Sequence, residues 1–172
     1  DTEHKNVQEA ATASATAALP VGWVAVTLPR CPTMLARRHE QHLDELTREL
    51  KLMMYAVDNH ENVALARRLQ PVLDASSYVQ HSVRAQVDEA IAQGREVADI
   101  QLALPAGFTS DLRRLDDALN EADELSDAGR LLAMPASVDI RAVRAWMNAQ
   151  IIGQAERGAT PVGWEDWQDH RG

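Results

Sequence analysis

Apolar residues recur every three or four positions along much of the chain, the spacing that places them on one face of an α-helix. The clearest stripe lies in a helix predicted over 34–57, whose other face is charged, and consists of Leu43, Leu46, Leu50, Met53 and Val57. Further helices are predicted over about 61–75, 76–93, 109–129 and 135–158. The pattern therefore predicts a mainly α fold, a bundle of about five helices.

Turn and capping residues mark the predicted ends of these helices. Hydroxyl side chains are predicted to cap the N-termini at Thr33, Ser76 or Ser77, Thr109 or Ser110, and Ser137. Glycines are predicted to end helices at Gly94, Gly129 and Gly158. Pro71 lies within the second helix, so we expect a kink or an early end near Gln70. The inward face of the fifth helix is predicted to begin at Val138.

Two stretches, near 21–28 and 97–104, lack the helical spacing and contain β-branched and alternating apolar residues. Both are predicted to be short extended segments, and pairing between them is one arrangement that would suit both. The remaining sequence predicts a flexible tail or linker over 1–18, a single helical domain over 19–158 and a C-terminal tail over 159–172.

Charge and composition exclude several classes of partner. The net charge of −9 disfavours nucleic acid and anionic membrane surfaces, because both require a clustered basic face. No apolar run reaches the roughly 20 residues that span a bilayer. The single Cys31 permits no internal disulfide, which fits a reducing compartment, so a cytoplasmic location is predicted.

No catalytic or cofactor motif is recognisable. His39 and His42 are one turn apart on the first helix and His81 is on the third, but no Glu-x-x-His pair or His-Glu-x-x-His motif accompanies them. No metal site is therefore predicted. The glycines are isolated, which gives no phosphate-binding loop, and no His-plus-Asn arrangement can be assigned to Cys31. We predict no catalytic residues, no metal and no cofactor.

Two groups of residues are candidates for contact with a partner. Glu121 and Glu124 lie in an acidic run and either dock a basic partner or pair internally with arginines of the next helix, Arg141 and Arg144, which we favour. Trp146 is predicted to anchor the core. The tail residues Trp164 and Trp167 either fold back onto the bundle or contact a partner, and we take them as candidate partner anchors.

Three separated motifs resemble those of one family. The stretch Asn120 to Leu125 with Ala128, Gly129, Leu131 and Leu132 resembles a "DEADEF…AGDLL" signature. Pro135 followed by Arg144 and Trp146 resembles "PPEV…FRRW", and His42, Glu45, Leu46, Arg48 and Glu49 resemble "EHHEELLREF". The family consists of small helical proteins or domains of actinobacteria, found beside or fused to anti-sigma kinases, phosphatases and antagonist domains of stress-response partner switching. The resemblance covers about 28–164 and implies context and fold rather than catalytic residues.

The sequence and the resemblance together lead to one functional hypothesis and two alternatives. The hypothesis is a non-enzymatic regulatory module in bacterial signalling that binds an anti-sigma kinase, a phosphatase or an antagonist domain. The first alternative is a sensory bundle that binds a small apolar ligand, a metal or haem, with His39, His42 or His81 lining the pocket. The second is an enzyme of unrecognised type. A homodimer formed through the first helix is left open.

Overall fold

The computed structural model describes residues 18–55 and 60–170, which form two strands and six helices, five of them long. In chain order these are β1 (Trp23–Pro32), α1 (Thr33–Met54), α2 (His60–Ala75), α3 (Ser77–Ala92), β2 (Val97–Pro105), α4 (Phe108–Asp127), α5 (Val138–Arg157) and α6 (Trp164–Asp169). The predicted mainly α bundle of about five helices is confirmed. Most of the predicted flexible tail, residues 1–17, and Val57 of the predicted stripe lie outside the described residues.

Strands β1 and β2 form a two-stranded antiparallel sheet, with Trp23 opposite Pro105. The two extended segments and the pairing between them are therefore confirmed. One face of the sheet is buried against the helices, which explains its alternating apolar residues. The buried residues of this face are Val26, Leu28, Ile100, Leu102 and Leu104.

Glutamine side chains bond both edges of the sheet. On β1, Gln154 of α5 accepts a hydrogen bond from Thr27 N–H (2.9 Å) and donates one to the Thr27 carbonyl (2.7 Å). On β2, Gln86 of α3 accepts from Gln101 N–H (2.9 Å) and donates to the Gln101 carbonyl (2.8 Å). Thr27 and Gln101 lie opposite each other in the sheet. Helices α5 and α3 are thus fixed to opposite edges at the same level.

Helix α1 packs against α2, α3 and α5. Its predicted apolar stripe is buried, as Leu43, Leu46, Leu50 and Met53 show. Besides Thr33 at its start, three ionisable residues of the same helix are also buried, namely His39, Glu40 and His42. A buried polar group is costly unless it finds a partner, so the surroundings of these three side chains are of particular interest. Within residues 18–55 and 60–170, no helix combines the length and apolar character needed to cross a bilayer.

Ser137 and Gly158 flank α5 as predicted, but the helix starts at Val138 rather than at position 135. The Ser137 hydroxyl accepts a hydrogen bond from Ile140 N–H (3.3 Å) at the N-terminus. Gly158 ends the helix in the left-handed conformation (φ 60°), which glycine adopts without steric cost.

Other predicted helix boundaries are wrong. The early end of α2 expected near Gln70 does not occur, and the helix continues through Pro71 to Ala75, the end of its predicted range. Burial of Leu73 on the same face as Leu69 holds its last turn in place. Helix α4 begins at Phe108 rather than after a hydroxyl cap at Thr109 or Ser110, because inward packing of Phe108 brings the start forward.

The predicted hydroxyl caps of α1 and α3 are also wrong. Thr33 is the first residue of α1, and its buried hydroxyl donates to the carbonyls of Arg95 and Glu96. Ser76 precedes α3, but its hydroxyl donates to the Leu73 carbonyl (2.9 Å) instead of capping the helix. The Ser76 bond is the usual local competition with capping, whereas the Thr33 hydroxyl is taken up by carbonyls distant in sequence, just before β2.

Candidate functional site

The segment between α4 and α5, residues 128–137, is the longest connection between described helices that has no regular structure of its own, and we call it the link. Its second residue is Gly129, whose positive φ (70°) follows the end of α4 as predicted. Arg130 N–H then donates to the Leu125 carbonyl (2.8 Å), which turns the chain away from the helix.

Two carboxylates from different helices hold the backbone of the link. Glu49 of α1 accepts hydrogen bonds from the N–H groups of Leu132 and Ala133, the second at 2.6 Å. Asp123 of α4 accepts one from Ala136 N–H at 2.7 Å. Hydrogen bonds to charged acceptors are stronger than neutral ones, so the link is held in one conformation although it has no regular structure.

Asp123 is also the centre of a buried ionic cluster. Its Oδ2 lies 3.3 Å from Arg144 Nη2 of α5, and its Oδ1 lies 3.8 Å from His42 Nε2 of α1. Burial raises the pKa of Asp123, but His42, Ala136 N–H and the charge of Arg144 outweigh burial and lower that pKa below its ordinary range. Asp123 therefore stays ionised and ties α1, α4, α5 and the link together.

The predicted pairing of Glu121 and Glu124 with Arg141 and Arg144 is wrong. Arg144 does cross to α4, but it contacts Asp123, Asp116 (Nε–Oδ1 3.3 Å) and Asn120 (2.8 Å). Glu121 instead pairs with Arg68 of α2, whereas Glu124 and Arg141 are exposed.

The sequence contains a signal for Asp123 that the acidic run hides. Asp123 is four residues after Leu119 and next to Ala122, so it lies on the buried stripe of α4. An acidic residue on an apolar stripe indicates a buried partner, and the neighbouring helix supplies it in Arg144. The more numerous acids around it lie at the side or on the outer face.

Arg48, another residue of the family-like motifs, is exposed and donates to the Asp44 carbonyl of its own helix.

The side chains of the link divide into two sets. Leu131 and Ala136 are buried and anchor it to the bundle. Three apolar side chains point to solvent, Leu132 (95% exposed), Met134 (74%) and, at the start of α5, Val138 (76%), and together we call them the link patch. The prediction that Val138 faces the core is wrong, because α5 buries its first apolar residue only at Ile140.

Trp146 is fully buried, as predicted, and its Nε1 donates to the Val162 carbonyl (2.9 Å). Trp164 packs edge-on against Trp146 with ring centroids 5.9 Å apart, and Trp167 stacks on Trp164 at 5.8 Å. Of the two arrangements considered for the tail tryptophans, the structure therefore shows the one in which they fold back onto the bundle. Since Trp164 is buried by its own chain, it offers little surface to a partner.

Replacing Trp164 with alanine is expected to lower the free energy of unfolding by about 2 kcal/mol. The loss is smaller than for a central tryptophan because α6 can detach without opening the bundle. The half-buried Trp167, changed to alanine, is the matched control and should cost about half as much. Urea denaturation followed by circular dichroism measures both; a Trp164→Ala variant as stable as wild type would contradict this packing.

The three histidines considered as ligands have different surroundings. His42 is part of the Asp123 cluster, and His81 Nδ1 contacts the Ser77 carbonyl at 2.6 Å on the exposed side of α3. His39 is buried, and burial, followed by the charge of Arg144, lowers its pKa to about 3. Among residues 18–55 and 60–170, no three His, Cys, Asp or Glu side chains are grouped to hold a metal ion.

His39 lines a cavity in the bundle interior, enclosed by α1, α3, α4 and α5 with Leu28 of β1. Arg144 lines the same cavity and also an open groove on the surface between α4 and α5. The described structure thus has two features to which a function can be assigned: the exposed link patch and this cavity.

The chain matches no known protein family, curated protein or solved structure.

Proposed function

We propose that the protein is a non-enzymatic regulatory module of the bacterial cytoplasm that acts by protein–protein contact, with the link patch as its recognition surface. The observation that carries the proposal is the contrast within the link. Its backbone is held by Glu49 and Asp123, while Leu132 and Met134 are almost entirely exposed. Fixing exposed apolar side chains costs stability and is of use when a partner covers them.

Further apolar side chains are exposed on α1, the helix whose Glu49 holds the link. Leu52 lies three residues after Glu49 on α1 and is largely exposed, as is Tyr55 just after the helix. Charged residues of both signs are exposed beside the link patch in the sequence, namely Asp127, Arg130, Asp139 and Arg141. Apolar residues surrounded by a polar rim are typical of protein-binding surfaces.

The family resemblance also supports the link patch as the recognition surface. Its motif residues His42, Glu49, Gly129 and Arg144 all belong to the link or to the cluster that holds it. These motif residues would then serve to present the link rather than to perform chemistry. The partners that the resemblance implies are an anti-sigma kinase, a phosphatase or an antagonist domain.

Changing both Leu132 and Met134 to serine is expected to abolish partner capture without changing the melting temperature, because neither side chain contributes to the core. The immobilised protein is exposed to an actinobacterial lysate, and captured proteins are identified by mass spectrometry. Wild type should recover one of the three partner classes, and the double variant at least about tenfold less.

Val21→Ser is the matched control, because Val21 is fully exposed but lies far from the link in sequence, beside β1. It should capture the partner as wild type does. Equal capture by the double variant would contradict the assignment of the link patch. Sedimentation of wild type and double variant tests the homodimer: self-association that disappears in the variant would make the link patch an interface between two copies.

A further inference from the structure

The interior cavity has a free volume of about 50 Å³. A water molecule needs about 10 to 15 Å³ of such space, so the cavity has room for about four. Most of its walls are apolar side chains, among them Leu112, Leu115, Val83 and Met147. Its half-exposed lining residues are Gln80 and Asn148, which indicates the side on which the cavity approaches solvent.

Three ionisable residues line the cavity besides the neutral polar residues Ser76, Gln80 and Asn148, and they are His39, Glu40 and Arg144. Each is more than nine-tenths buried. His39 Nδ1, Glu40 Oε2 and Arg144 Nη1 are buried atoms that form no hydrogen bond within the described part of the chain. Glu40 Oε2 has an ionic neighbour, Arg84 Nη2 at 3.5 Å, whereas the other two atoms are unsatisfied. A buried polar atom without a partner costs about 1 to 3 kcal/mol, and here the cavity is the space that a partner could occupy.

Charge around the cavity disfavours an anionic occupant, and the one acidic side chain of the lining, Glu40, is already compensated by Arg84 at 3.5 Å. Arg144 already contacts the carboxylates of Asp116 and Asp123, so its positive charge is compensated. His39 is neutral near pH 7, because burial keeps its pKa low. An anion would therefore lose its hydration without gaining an uncompensated cation, which makes its burial unfavourable.

We propose that this cavity binds a small neutral molecule with a hydroxyl group on a short apolar chain. The hydroxyl oxygen accepts a hydrogen bond from Arg144 Nη1, and its proton is donated to His39 Nδ1 in the tautomer that leaves this nitrogen free. The apolar chain lies against Leu112, Leu115 and Met147. This inference does not rest on the proposed recognition by the link patch, although Arg144 belongs both to the cavity wall and to the cluster that holds the link.

The test uses 1-propanol as the probe and the ¹³C-labelled methyl group of Met147 as the reporter. In a titration of the whole protein, the Met147 resonance should move along a saturable curve, while that of the exposed Met134 should not. The propionate ion has the same carbon chain with a charge, and it should leave Met147 unmoved. Tighter binding of propionate than of 1-propanol would overturn the charge argument.

Two variants connect the signal to the cavity. Val83→Ile adds a methylene group to the cavity wall and should weaken binding of 1-propanol at least about tenfold. Val87→Ile adds the same group one turn further along α3, where the side chain does not line the cavity, and should bind as wild type does. Melting temperatures establish that both variants are folded. Equal binding by Val83→Ile and Val87→Ile would place the probe elsewhere and overturn the assignment.

A third variant and a second probe test whether the hydrogen bonds to the hydroxyl group are needed for binding, or whether the apolar cavity alone is enough. His39→Leu removes the nitrogen, so it should lose 1-propanol but keep xenon, which needs only an apolar space. Wild-type protein that binds xenon and not 1-propanol would show a purely apolar cavity. Protein that binds neither would show that ordered water occupies it. Either result would overturn the proposal.

Discussion

Replacing Asp123 with alanine is expected to lower the free energy of unfolding by about 3 to 5 kcal/mol. The change removes the buried carboxylate that faces Arg144 and leaves the guanidinium, itself buried, with only the partly exposed Asp116 as a charged partner. It also removes the acceptor of Ala136 N–H. Urea denaturation measures the loss, and proteolysis near the link should accelerate, because its attachment to α4 is gone.

Asp127→Ala is the matched control, because this residue lies one turn further along α4 and is exposed. It should change stability by no more than about 0.5 kcal/mol. The double change Asp123→Ala with Arg144→Met should recover part of the loss, since no buried charge is then left unpaired. If Asp123→Ala cost less than about 1 kcal/mol, Asp116 and Asn120 would suffice for Arg144, and the cluster would not be organised around Asp123.

Replacing Glu40 with glutamine is expected to stabilise the protein by about 3 kcal/mol at pH 8 and to leave its stability unchanged near pH 4. Burial raises the pKa of Glu40 from 4.5 to about 7, an increase that Arg84 limits. A raised pKa stabilises the folded state fully below pH 4.5, and this contribution is lost as the pH rises through 7. At pH 8 the folded protein therefore holds a buried carboxylate that glutamine does not carry.

The adjacent His39 has the opposite dependence. Its pKa is lowered from 6.5 to about 3, so its contribution is present above pH 6.5 and is lost as the pH falls towards 3. Between pH 6.5 and 4.5 the two residues change stability by about 1.4 kcal/mol per pH unit in opposite directions. Wild type should therefore show a flat profile over this window, whereas Glu40→Gln should lose stability steadily as the pH falls.

Chemical denaturation at half-unit intervals from pH 4 to pH 8 measures both profiles. Glu45→Gln, an exposed change on the same helix, is the control and should run parallel to wild type. Parallel curves for Glu40→Gln and wild type would show that the pKa of Glu40 is not raised in the folded protein above its value in the unfolded chain. That result would also remove the compensation inferred for His39.

Periodicity predicts the helices well because each of them buries one face. The stripes on α1 and α4 lie in the core where the spacing places them, and the alternating residues of β1 and β2 line the buried face of the sheet. Helix ends are harder to predict, since a local capping preference is worth about 1 kcal/mol and packing of a single side chain outweighs it. Phe108 at the start of α4 is an example, and Leu73 beyond Pro71 is another.

The candidate sites were harder to predict, for a related reason. Charge patterns indicate that acids and bases are available, but the pairing depends on which of them lies on a buried stripe. Asp123 satisfies that condition, while Glu121 and Glu124 do not. His39 likewise lies four residues before Leu43 on the stripe of α1, and this position rather than its distance from His42 determines what it contacts. The cavity itself depends on how four helices pack, and no local pattern encodes it.

The glutamine side chains on the two edges of the sheet restrict how other proteins can bind. A two-stranded sheet normally offers two open edges, to which a foreign strand can add or on which aggregation begins. Gln154 and Gln86 occupy the backbone groups of Thr27 and Gln101 at the middle of these edges, so an incoming strand would first have to displace a helix side chain. Strand addition is therefore disfavoured, and recognition is left to surfaces away from the sheet edges, among them the link patch.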